Sequence, residues 1–377
     1  HRDLHSFPTR RSSDLVAAGS LSLISLMKIP IRNVNTERTI FLTGEDVFNR
    51  FRKIARLNHL HHDHWVILAD DNTRVHCLPL LVNFLPELAN ARVMTIPAGE
   101  QEKTLARAAW IWKEWNKFGI GRSNRIICLG GGMVTDLGGF AAAAYHRGLP
   151  VVHIPTSLIG QLDAAIGGKV AVNLDDRKNQ VGFFHVPDFV LVYPPFLKTL
   201  PARQIHSGIA EMAKSHLLGN PETWHKMKRM TADRLAKGIS EAQEWRKWVL
   251  PAIQYKISMV RRDFHERNLR KVLNFGHTLG HAFETLSLRR DSEPMTHGDA
   301  VAAGMVCAAK LSVLKTGLSP THLEDITTFL THGFQGFPIA TRDIPELLDY
   351  LKSDKKNRDS HTGFTLLRQP GDRKSVV

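Results

Sequence analysis

Short apolar runs alternate with helical patterns along the first half of the chain, and this alternation constrains the fold more than any other feature. Each run is followed by Gly, Pro or Asp, and the runs occupy residues 65–69, 92–96, 126–129 and 151–154. Between two of them, residues 104–118 carry apolar side chains near one helical face, namely Leu105, Ala108, Trp112 and Trp115. Because strands joined by helices pair in parallel, the pattern predicts a parallel sheet covered by helices on both faces.

The second half of the chain has a different texture, with long helix-forming stretches and little strand signal. The predicted helices occupy residues 209–218, 224–236, 242–259, 276–286 and 298–314, and one strand is predicted at 364–367. Pro201 lies where the texture changes. We therefore predict an α/β domain at 16–200 and a mainly α-helical domain at 201–371.

The composition is that of a globular protein with room for two cores. Of 377 residues, 43% are hydrophobic and 23% are charged, which excludes a disordered or collagen-like chain. Three cysteines provide no disulfide framework and favour a reducing compartment, so we expect a cytoplasmic protein. The formal net charge of +14 favours anionic ligands, but charge alone does not distinguish nucleic acid, a membrane surface and a small phosphorylated molecule.

No segment of the chain predicts membrane insertion. Every apolar stretch is shorter than the roughly 18 residues that span a bilayer. Residues 1–15 and 372–377 resemble translated sequencing-adaptor sequence, so we exclude both segments from the fold. The apolar stretch at 16–27 lacks a convincing small-residue cleavage site, and we do not interpret it as a signal peptide.

The first candidate site is a run of three glycines at 130–132, directly after the apolar run at 126–129. Bare backbone N–H groups at the start of a helix bind pyrophosphate in nucleotide-binding folds. The spacing differs from the common dinucleotide motif, and a tight strand-to-helix turn also explains it. Thr156 and Ser157 follow the next apolar run and would add hydroxyl groups near the same sheet edge.

A second cluster runs from Asp163 to Lys169 and contains two consecutive glycines. Glycines allow the backbone to approach an anion closely, and Lys178 and Arg147 would bring two further cations to it. A solvated loop with scattered lysines is the alternative. Two Gly-Gly loops beyond two consecutive strands favour an anion site.

Histidines and a carboxylate form the third cluster. His277 and His281 are four residues apart, hence on one face of a helix, where two imidazoles can address one metal ion or one substrate. The spacing of this pair alone also fits an incidental arrangement. His297 at the start of another helix and Glu211 on an otherwise apolar helix favour a catalytic metal site with open positions for substrate oxygens.

Another group of four histidines lies between Asn58 and His64. It precedes the apolar run at 65–69 in a predicted loop, and no open-site chemistry follows from its pattern. We interpret it as a solvated surface tract.

Taken in order, these motifs resemble the 3-dehydroquinate synthase family of sugar phosphate cyclases over roughly residues 100–356. The matching residues are Gly130-Gly131-Gly132-x-x-x-Asp136, Pro155-Thr156-Ser157, Asp163-x-x-x-Gly167-Gly168-Lys169, Lys178-Asn179, Glu211-x-x-Lys214, Arg270-x-x-x-Asn274-x-Gly276-His277-x-x-x-His281 and His297-Gly298. The resemblance implies an NAD-binding α/β domain with a parallel sheet, followed by a mainly α-helical metal-binding domain. The active site would lie between the two.

The resemblance also implies a role for each matching residue. The ligands of a zinc or cobalt ion would be Glu211, His277 and His297. The NAD contacts would be Asp70, Asn72, Glu100, Lys103, Gly131, Gly132, Asp136, Thr156, Ser157, Lys169 and Lys178. The catalytic and substrate-binding residues would be Asp163, Lys169, Lys178, Asn179, Lys214, Lys256, Arg270, Asn274 and His281. The phosphate would be bound by Arg147 and by Lys355 or Lys356, brought in by closure or from the neighbouring subunit of a homodimer.

The implied reaction belongs to the shikimate pathway and converts 3-deoxy-arabino-heptulosonate 7-phosphate to 3-dehydroquinate and phosphate. NAD⁺ removes a hydride from a ring carbinol polarised by zinc, phosphate is expelled with help from His281 or the substrate's own phosphate, and the hydride returns. Ring opening and an intramolecular aldol reaction complete the product. The resemblance thus implies that the cations of the chain bind a small phosphorylated sugar acid rather than nucleic acid or a membrane.

Two alternatives stay open. Cyclases acting on sedoheptulose phosphate or glucose phosphate share the metal ligands, and the chain departs from the usual family residues at Val170, Ser215, His216 and Asp299. Lys256, Arg270 and Asn274 favour the carboxylate-bearing substrate. A metal-dependent polyol dehydrogenase would instead release NADH stoichiometrically, and the phosphate-seeking cations would be surplus to it.

Overall fold

The structure is a computed structural model that describes residues 26–30, 38–57, 60, 64–175, 177–352 and 362–372. Within these ranges the strands are β1 (Leu26–Pro30), β2 (Arg38–Thr43), β3 (Trp65–Asp70), β4 (Arg92–Ile96), β5 (Arg125–Gly130), β6 (Val151–Pro155), β7 (Lys169–Leu174), β8 (Arg177–Phe184) and β9 (Phe189–Val192). The α-helices are α1 (Val47–Leu57), α2 (Asp71–His76), α3 (Leu78–Phe84), α4 (Leu105–Lys117), α5 (Gly132–Ala144), α6 (Ala202–Gly219), α7 (Pro221–Met227), α8 (Ala232–Gly238), α9 (Ala242–Arg262), α10 (His277–Arg290), α11 (His297–Thr316), α12 (Pro320–Gly333) and α13 (Ile344–Lys352).

The main sheet has the strand order β1-β2-β9-β6-β5-β3-β4. All neighbouring pairs are parallel except β1 with β2, so the predicted parallel sheet is confirmed. From β3 the chain moves outward to β4 and then returns to β5 on the other side of β3. The carboxyl ends of β3 and β5 therefore flank a reversal of strand order, the place where open α/β sheets bind ligands.

Both faces of this sheet are buried, because successive residues of its central strands enter different cores. Trp65 and Ile67 of β3 pack with α1 and α3, whereas Val66 and Leu68 pack with α4 and α5. Continuous apolar runs are the sequence signature of strands buried in this way. The buried face of α4 consists of Ala108, Ile111 and Trp115. Leu105, which was predicted on that face, is 38% exposed because it begins the first turn of α4, beyond the buried face.

An antiparallel hairpin of β7 and β8 stands apart from the main sheet, and it was not predicted from the sequence. It packs on α5, where Val170 lies so close to Gly139 that a side chain at position 139 would collide with it. Lys169 and Lys178 are therefore carried by strands rather than by a solvated loop.

After β9 the described chain is almost entirely helical, as predicted, and most of its helices surround a core that includes Trp224, Trp245 and Trp248. The helix predicted at 224–236 is wrong in its extent, because the segment forms two helices, α7 and α8. The hydroxyl of Thr231 accepts a hydrogen bond from the backbone N–H of Arg234 at 3.2 Å, which starts α8 anew. Helices α12 and α13 were not predicted. Among the described helices, none is long and apolar enough to cross a membrane.

The strand predicted at 364–367 is also wrong, because only Thr365 takes part in an isolated β-bridge and the segment otherwise lies against helices. The Thr365 hydroxyl donates to the carbonyl of Lys271 at 3.1 Å, and the Leu367 N–H donates to the Ser312 hydroxyl at 3.0 Å. Leu366 and Leu367 are buried. A short apolar run is compatible with either outcome, and tertiary packing decides between them.

We expect the stability of the folded chain to fall as the pH drops below neutrality, in part through His153 of β6. Burial, followed by the nearby His185, lowers the pKa of His153 to about 3. The unfolded chain then binds the extra proton between about pH 6.5 and pH 3, so this contribution is present above pH 6.5 and is lost as the pH falls through that window. Relative to a His153→Leu variant, the unfolding free energy should decrease by about 2 kcal/mol between pH 7 and pH 5. Urea titrations at both pH values test this, and parallel pH profiles would contradict it.

Candidate active site

The residues predicted to contact a dinucleotide gather at the carboxyl edge of the main sheet. Gly131 precedes the first turn of α5, and a Cβ atom at Gly131 would approach the Ser157 hydroxyl to 3.1 Å. The Thr156 N–H donates to the carbonyl of Gly130 at 3.0 Å, which joins the two loops. Asp70 ends β3 and caps α2 by accepting a hydrogen bond from the Thr73 N–H at 2.7 Å. The edge therefore presents glycine backbone and hydroxyl groups together, as anion binding at a helix N-terminus requires.

A chain of ion pairs leads from this edge into the interior. Lys103 Nζ lies 2.7 Å from Asp136 and 3.5 Å from Glu100. Glu100 also accepts a hydrogen bond from the side-chain amide of Asn173 at 3.0 Å and lies 3.8 Å from Lys178 Nζ. Burial by itself would lower the pKa of Lys103, but the carboxylates of Asp136 and Glu100 raise it, so this lysine stays charged. These ion pairs connect the carboxyl edge of the main sheet, where the predicted NAD contacts gather and which we call the cofactor edge, to Lys178 on the hairpin of β7 and β8.

Three helices bring the predicted metal ligands together. Glu211 lies in α6, His277 begins α10 and His297 begins α11. Glu211 Oε1 is 3.3 Å from His277 Nε2 and 3.4 Å from His297 Nε2. One ligand atom from each residue lies within 4.8 Å of the others. Among the described residues, Glu211, His277 and His297 form the one group of His, Cys, Asp or Glu side chains that could hold a metal ion, and we call it the metal triad. His281 does not belong to this group.

The donor set fits a tetrahedral Zn²⁺ ion or a similar divalent metal. Metal bonds of about 2.0–2.1 Å in a tetrahedron place neighbouring donors about 3.3–3.4 Å apart, which matches both measured separations. The His277 ring places Nδ1 3.1 Å from the Phe275 carbonyl, so donation from Nδ1 leaves the Nε2 lone pair toward Glu211. Three protein donors leave one position for a substrate oxygen.

Buried neighbours set the charge states of the three ligands. Burial, followed by Lys214, lowers the pKa of His277 to about 4, so its imidazole is neutral at pH 7. Burial opposes ionisation of Glu211, but Lys214, only 2.5 Å away, and His277 hold the pKa of Glu211 well below its usual range. Burial would lower the pKa of His297, yet Glu284 and Glu211 raise it to about 9. The ionised carboxylates of Glu211 and Glu284 thus favour a positive charge beside His297. Because only a neutral imidazole can bind a metal, His297 must release its proton when the metal binds.

Further cations surround the same space. Lys256 of α9 forms a close ion pair with Asp163, and this pair holds the pKa of Asp163 at about 2 although burial opposes ionisation. Arg270 is 1% exposed and donates to the carbonyls of Phe264 at 2.6 Å and Gly167 at 3.2 Å. These cations are fixed before any ligand binds.

Four further predicted residues make separate contacts, namely Lys169, Asn179, Asn274 and His281. Asn274 donates to Glu266 at 2.7 Å, and Lys169 makes a close ion pair with the same carboxylate. The His281 ring centre is 5.3 Å from that of His277 and 5.9 Å from that of His297. Asn179 has a positive φ of 55°, and its N–H donates to Asn173 at 3.0 Å.

Some predicted residues are not brought to this site. Arg147 is exposed three residues beyond the end of the 13-residue helix α5, whose length at about 1.5 Å per residue places Arg147 about 20 Å from Gly132. Asn72, by contrast, is exposed in α2 two residues after Asp70, so it stays at the carboxyl edge of the main sheet. Lys355 and Lys356 lie outside the described residues, as do most of the histidines of the tract before β3, of which His64 is described and is exposed.

Sequence reasoning missed Glu284, Glu266 and Asn173. Glu284 follows His281 by three residues and His277 by seven, so the three share one face of α10. That spacing was a usable signal. Glu266 and Asn173 carried no comparable signal, because their partners come from distant parts of the chain.

Comparison with solved structures supports the fold. The 2-deoxy-scyllo-inosose synthase complexed with carbaglucose-6-phosphate, NAD⁺ and Co²⁺ matches with a TM-score of 0.78 at 24% identity, covering 94% of this chain and 96% of that one. The 2-epi-5-epi-valiolone synthase of Streptomyces hygroscopicus subsp. jinggangensis, with NAD⁺ and Zn²⁺ bound, matches with a TM-score of 0.76 at 25% identity, covering 90% and 92%.

Comparison of sequences goes further. The family described as 3-dehydroquinate synthase N-terminal matches residues 93–207, and 3-dehydroquinate synthase C-terminal matches residues 208–357. The 3-dehydroquinate synthase of Parabacteroides distasonis is 36% identical over 84% of this chain and 88% of its own length. Two matches that together span most of the chain, and a relative of this similarity, show that the chain belongs to the 3-dehydroquinate synthase family.

Proposed function

We propose that this chain converts 3-deoxy-arabino-heptulosonate 7-phosphate to 3-dehydroquinate and phosphate, with a transiently reduced NAD cofactor and a divalent metal, Zn²⁺ or Co²⁺. The observation that carries the proposal is the position of Lys178, which joins Glu100 at the cofactor edge to Glu284 beside the metal triad. A nicotinamide and a metal-held hydroxyl meet productively only if the two sites are adjacent.

The metal would be held by Glu211, His277 and His297. The dinucleotide would be held at the cofactor edge, by the glycine turn at Gly131 and Gly132 together with Thr156 and Ser157. When bound, the metal polarises a hydroxyl and NAD⁺ accepts a hydride. Lys256, Arg270 and Lys214 supply positive charge for an anionic substrate, with Asp163 orienting Lys256 through their ion pair. His281 lies beside both histidine ligands, where an imidazole can take up and return a proton.

We further propose that the protein works as a homodimer in the cytoplasm. Arg147 lies about 20 Å along α5 from the glycine turn, so a contact between Arg147 and the substrate phosphate requires a second copy of the chain. Lys355 or Lys356 would supply the remaining phosphate contact. Cys77 and Cys128 are unpaired and buried, which suits a reducing compartment.

Product analysis tests the proposed function. Incubation with the substrate, NAD⁺ and Zn²⁺ should yield 3-dehydroquinate and phosphate in equal amounts without net NADH, because the hydride is returned in each turnover. NADH accumulating in step with substrate loss would identify a polyol dehydrogenase. Turnover of sedoheptulose 7-phosphate or glucose 6-phosphate in place of the sugar acid would identify another cyclase.

A further inference from the structure

Glu284 is a buried carboxylate outside the metal triad, and its two oxygens face two different parts of the site. The residue is 3% exposed and lies on α10, seven residues after His277. Glu284 Oε2 lies 3.2 Å from His297 Nδ1, and Glu284 Oε1 lies 2.6 Å from Lys178 Nζ. Burying an ionised carboxylate costs folding free energy unless both of its oxygens have hydrogen-bond or ion-pair partners. Both oxygens of Glu284 have such partners, Lys178 and His297.

The contact with His297 determines which nitrogen that ring offers to a metal. If Nδ1 donates its proton to Glu284, the lone pair of Nε2 points toward Glu211, as coordination requires. His277 has its Nδ1 facing a backbone carbonyl, which no side-chain substitution removes. Of the two histidine ligands, His297 is therefore the one whose orientation depends on a replaceable side chain.

The contact with Lys178 fixes the other side of the site. Lys178 reaches from the hairpin strand β8 to α10, and its side chain is 16% exposed. Its second acidic neighbour, Glu100, is more distant at 3.8 Å and is engaged by Lys103 and Asn173. Glu284 is thus the closer anchor of Lys178.

We infer that Glu284 is a positioning residue that uses one carboxylate to orient both the metal ligand His297 and the lysine at the cofactor edge. The identities of metal and cofactor rest on the proposed function. Loss of this carboxylate should therefore weaken binding at two sites that Glu284 itself does not contact as a ligand.

The test is the Glu284→Gln variant, studied by binding measurements. Glutamine keeps the shape but has one acceptor oxygen, so either His297 or Lys178 faces an amide N–H instead of an acceptor. Chelator competition should show Zn²⁺ binding about 10- to 100-fold weaker, the usual effect of losing a partner of a histidine ligand. The visible spectrum of bound Co²⁺ should change, and calorimetry on metal-free protein should show weaker NAD⁺ binding.

Matched variants separate positioning from general destabilisation. Glu324→Gln removes the same charge from a position on α12 remote from the triad in the fold and should leave both affinities and the Co²⁺ spectrum unchanged. Glu284→Asp should recover part of the Zn²⁺ affinity. If Glu284→Gln fails to fold because Lys178 is left as an unpaired buried charge, Glu284→Gln with Lys178→Met removes that charge and should fold with weak Zn²⁺ binding.

A folded Glu284→Gln protein with the Zn²⁺ affinity and Co²⁺ spectrum of the parent, or with the NAD⁺ affinity of the parent, would overturn the inference that one carboxylate orients both sides of the site. It is equally overturned if the folded double variant binds Zn²⁺ as tightly as the parent. These measurements need no turnover, so they are independent of the proposed reaction. A parent protein that binds Zn²⁺ and NAD⁺ but forms no 3-dehydroquinate would refute the proposed function alone.

Discussion

Replacing His277 with alanine is expected to abolish Zn²⁺ retention and, with it, 3-dehydroquinate formation. The substitution removes one of three protein donors from a site in which Glu211 Oε1 lies 3.3 Å from His277 Nε2. Two donors cannot complete the coordination sphere, and the fully buried Glu211 then keeps only Lys214 and His297 as partners among the described residues. Metal analysis after dialysis, together with product assays, measures both losses.

The histidine tract before β3 provides the control. Alanine substitutions of His59, His61, His62 and His64 should leave product formation intact, because no coordination chemistry was predicted there and His64 is exposed. The tract can bind metal adventitiously, so the His277→Ala assay is best made in a protein that also lacks the tract. One Zn²⁺ per chain retained in that protein would show that the ligand assignment is wrong.

Replacing Gly304 with alanine is expected to lower the free energy of unfolding by about 2–4 kcal/mol and to weaken Zn²⁺ binding as well. Gly304 of α11 lies directly against the first turn of α10. A Cβ atom there would overlap the carbonyl oxygen of Gly276 and lie 2.7 Å from the N–H nitrogen of Gly280. Both contacts are with backbone, so the two helices must separate. His277 and His297 begin these helices, and their separation would widen the metal site.

Urea denaturation of the metal-free protein and chelator competition measure the two effects of Gly304→Ala. Gly336→Ala is the matched control, because a Cβ atom at Gly336 has no neighbour within 4 Å and the residue lies outside the helices. That variant should stay within about 0.5 kcal/mol of the parent. A Gly304→Ala protein as stable as the Gly336→Ala protein would mean that the α10–α11 contact is less tight than the structure indicates.

The metal site depends on how three helices pack together. The metal ligands come from three helices that are separated in sequence, and glycines at the α10–α11 contact allow two of them to approach closely. The site is therefore a property of helix packing as much as of the ligand side chains.

Local sequence determined the buried parallel strands and the glycine turn, because both depend on the properties of neighbouring residues along the chain. Buried parallel strands need apolar side chains on both faces, so β3 and β5 were readable as continuous apolar runs. Gly131 and Gly132 follow β5 directly, and their backbone freedom predicted the turn at the sheet edge. The ordered motifs identified the family.

Tertiary structure decided the contacts that the sequence left open. The spacing of His277 and His281 left shared ligation of one metal by this pair open, and the packing of α6 and α11 against α10 places Glu211 and His297, not His281, in the cluster with His277. The segment at 364–367 had the apolar character of a strand, yet it found hydrogen-bond partners on Lys271 and Ser312. Glu284 joins Lys178, 106 residues earlier, to His297. Contacts at such separations depend on packing of the whole chain, because local sequence sets the conformation of a segment but not the neighbour against which it is buried.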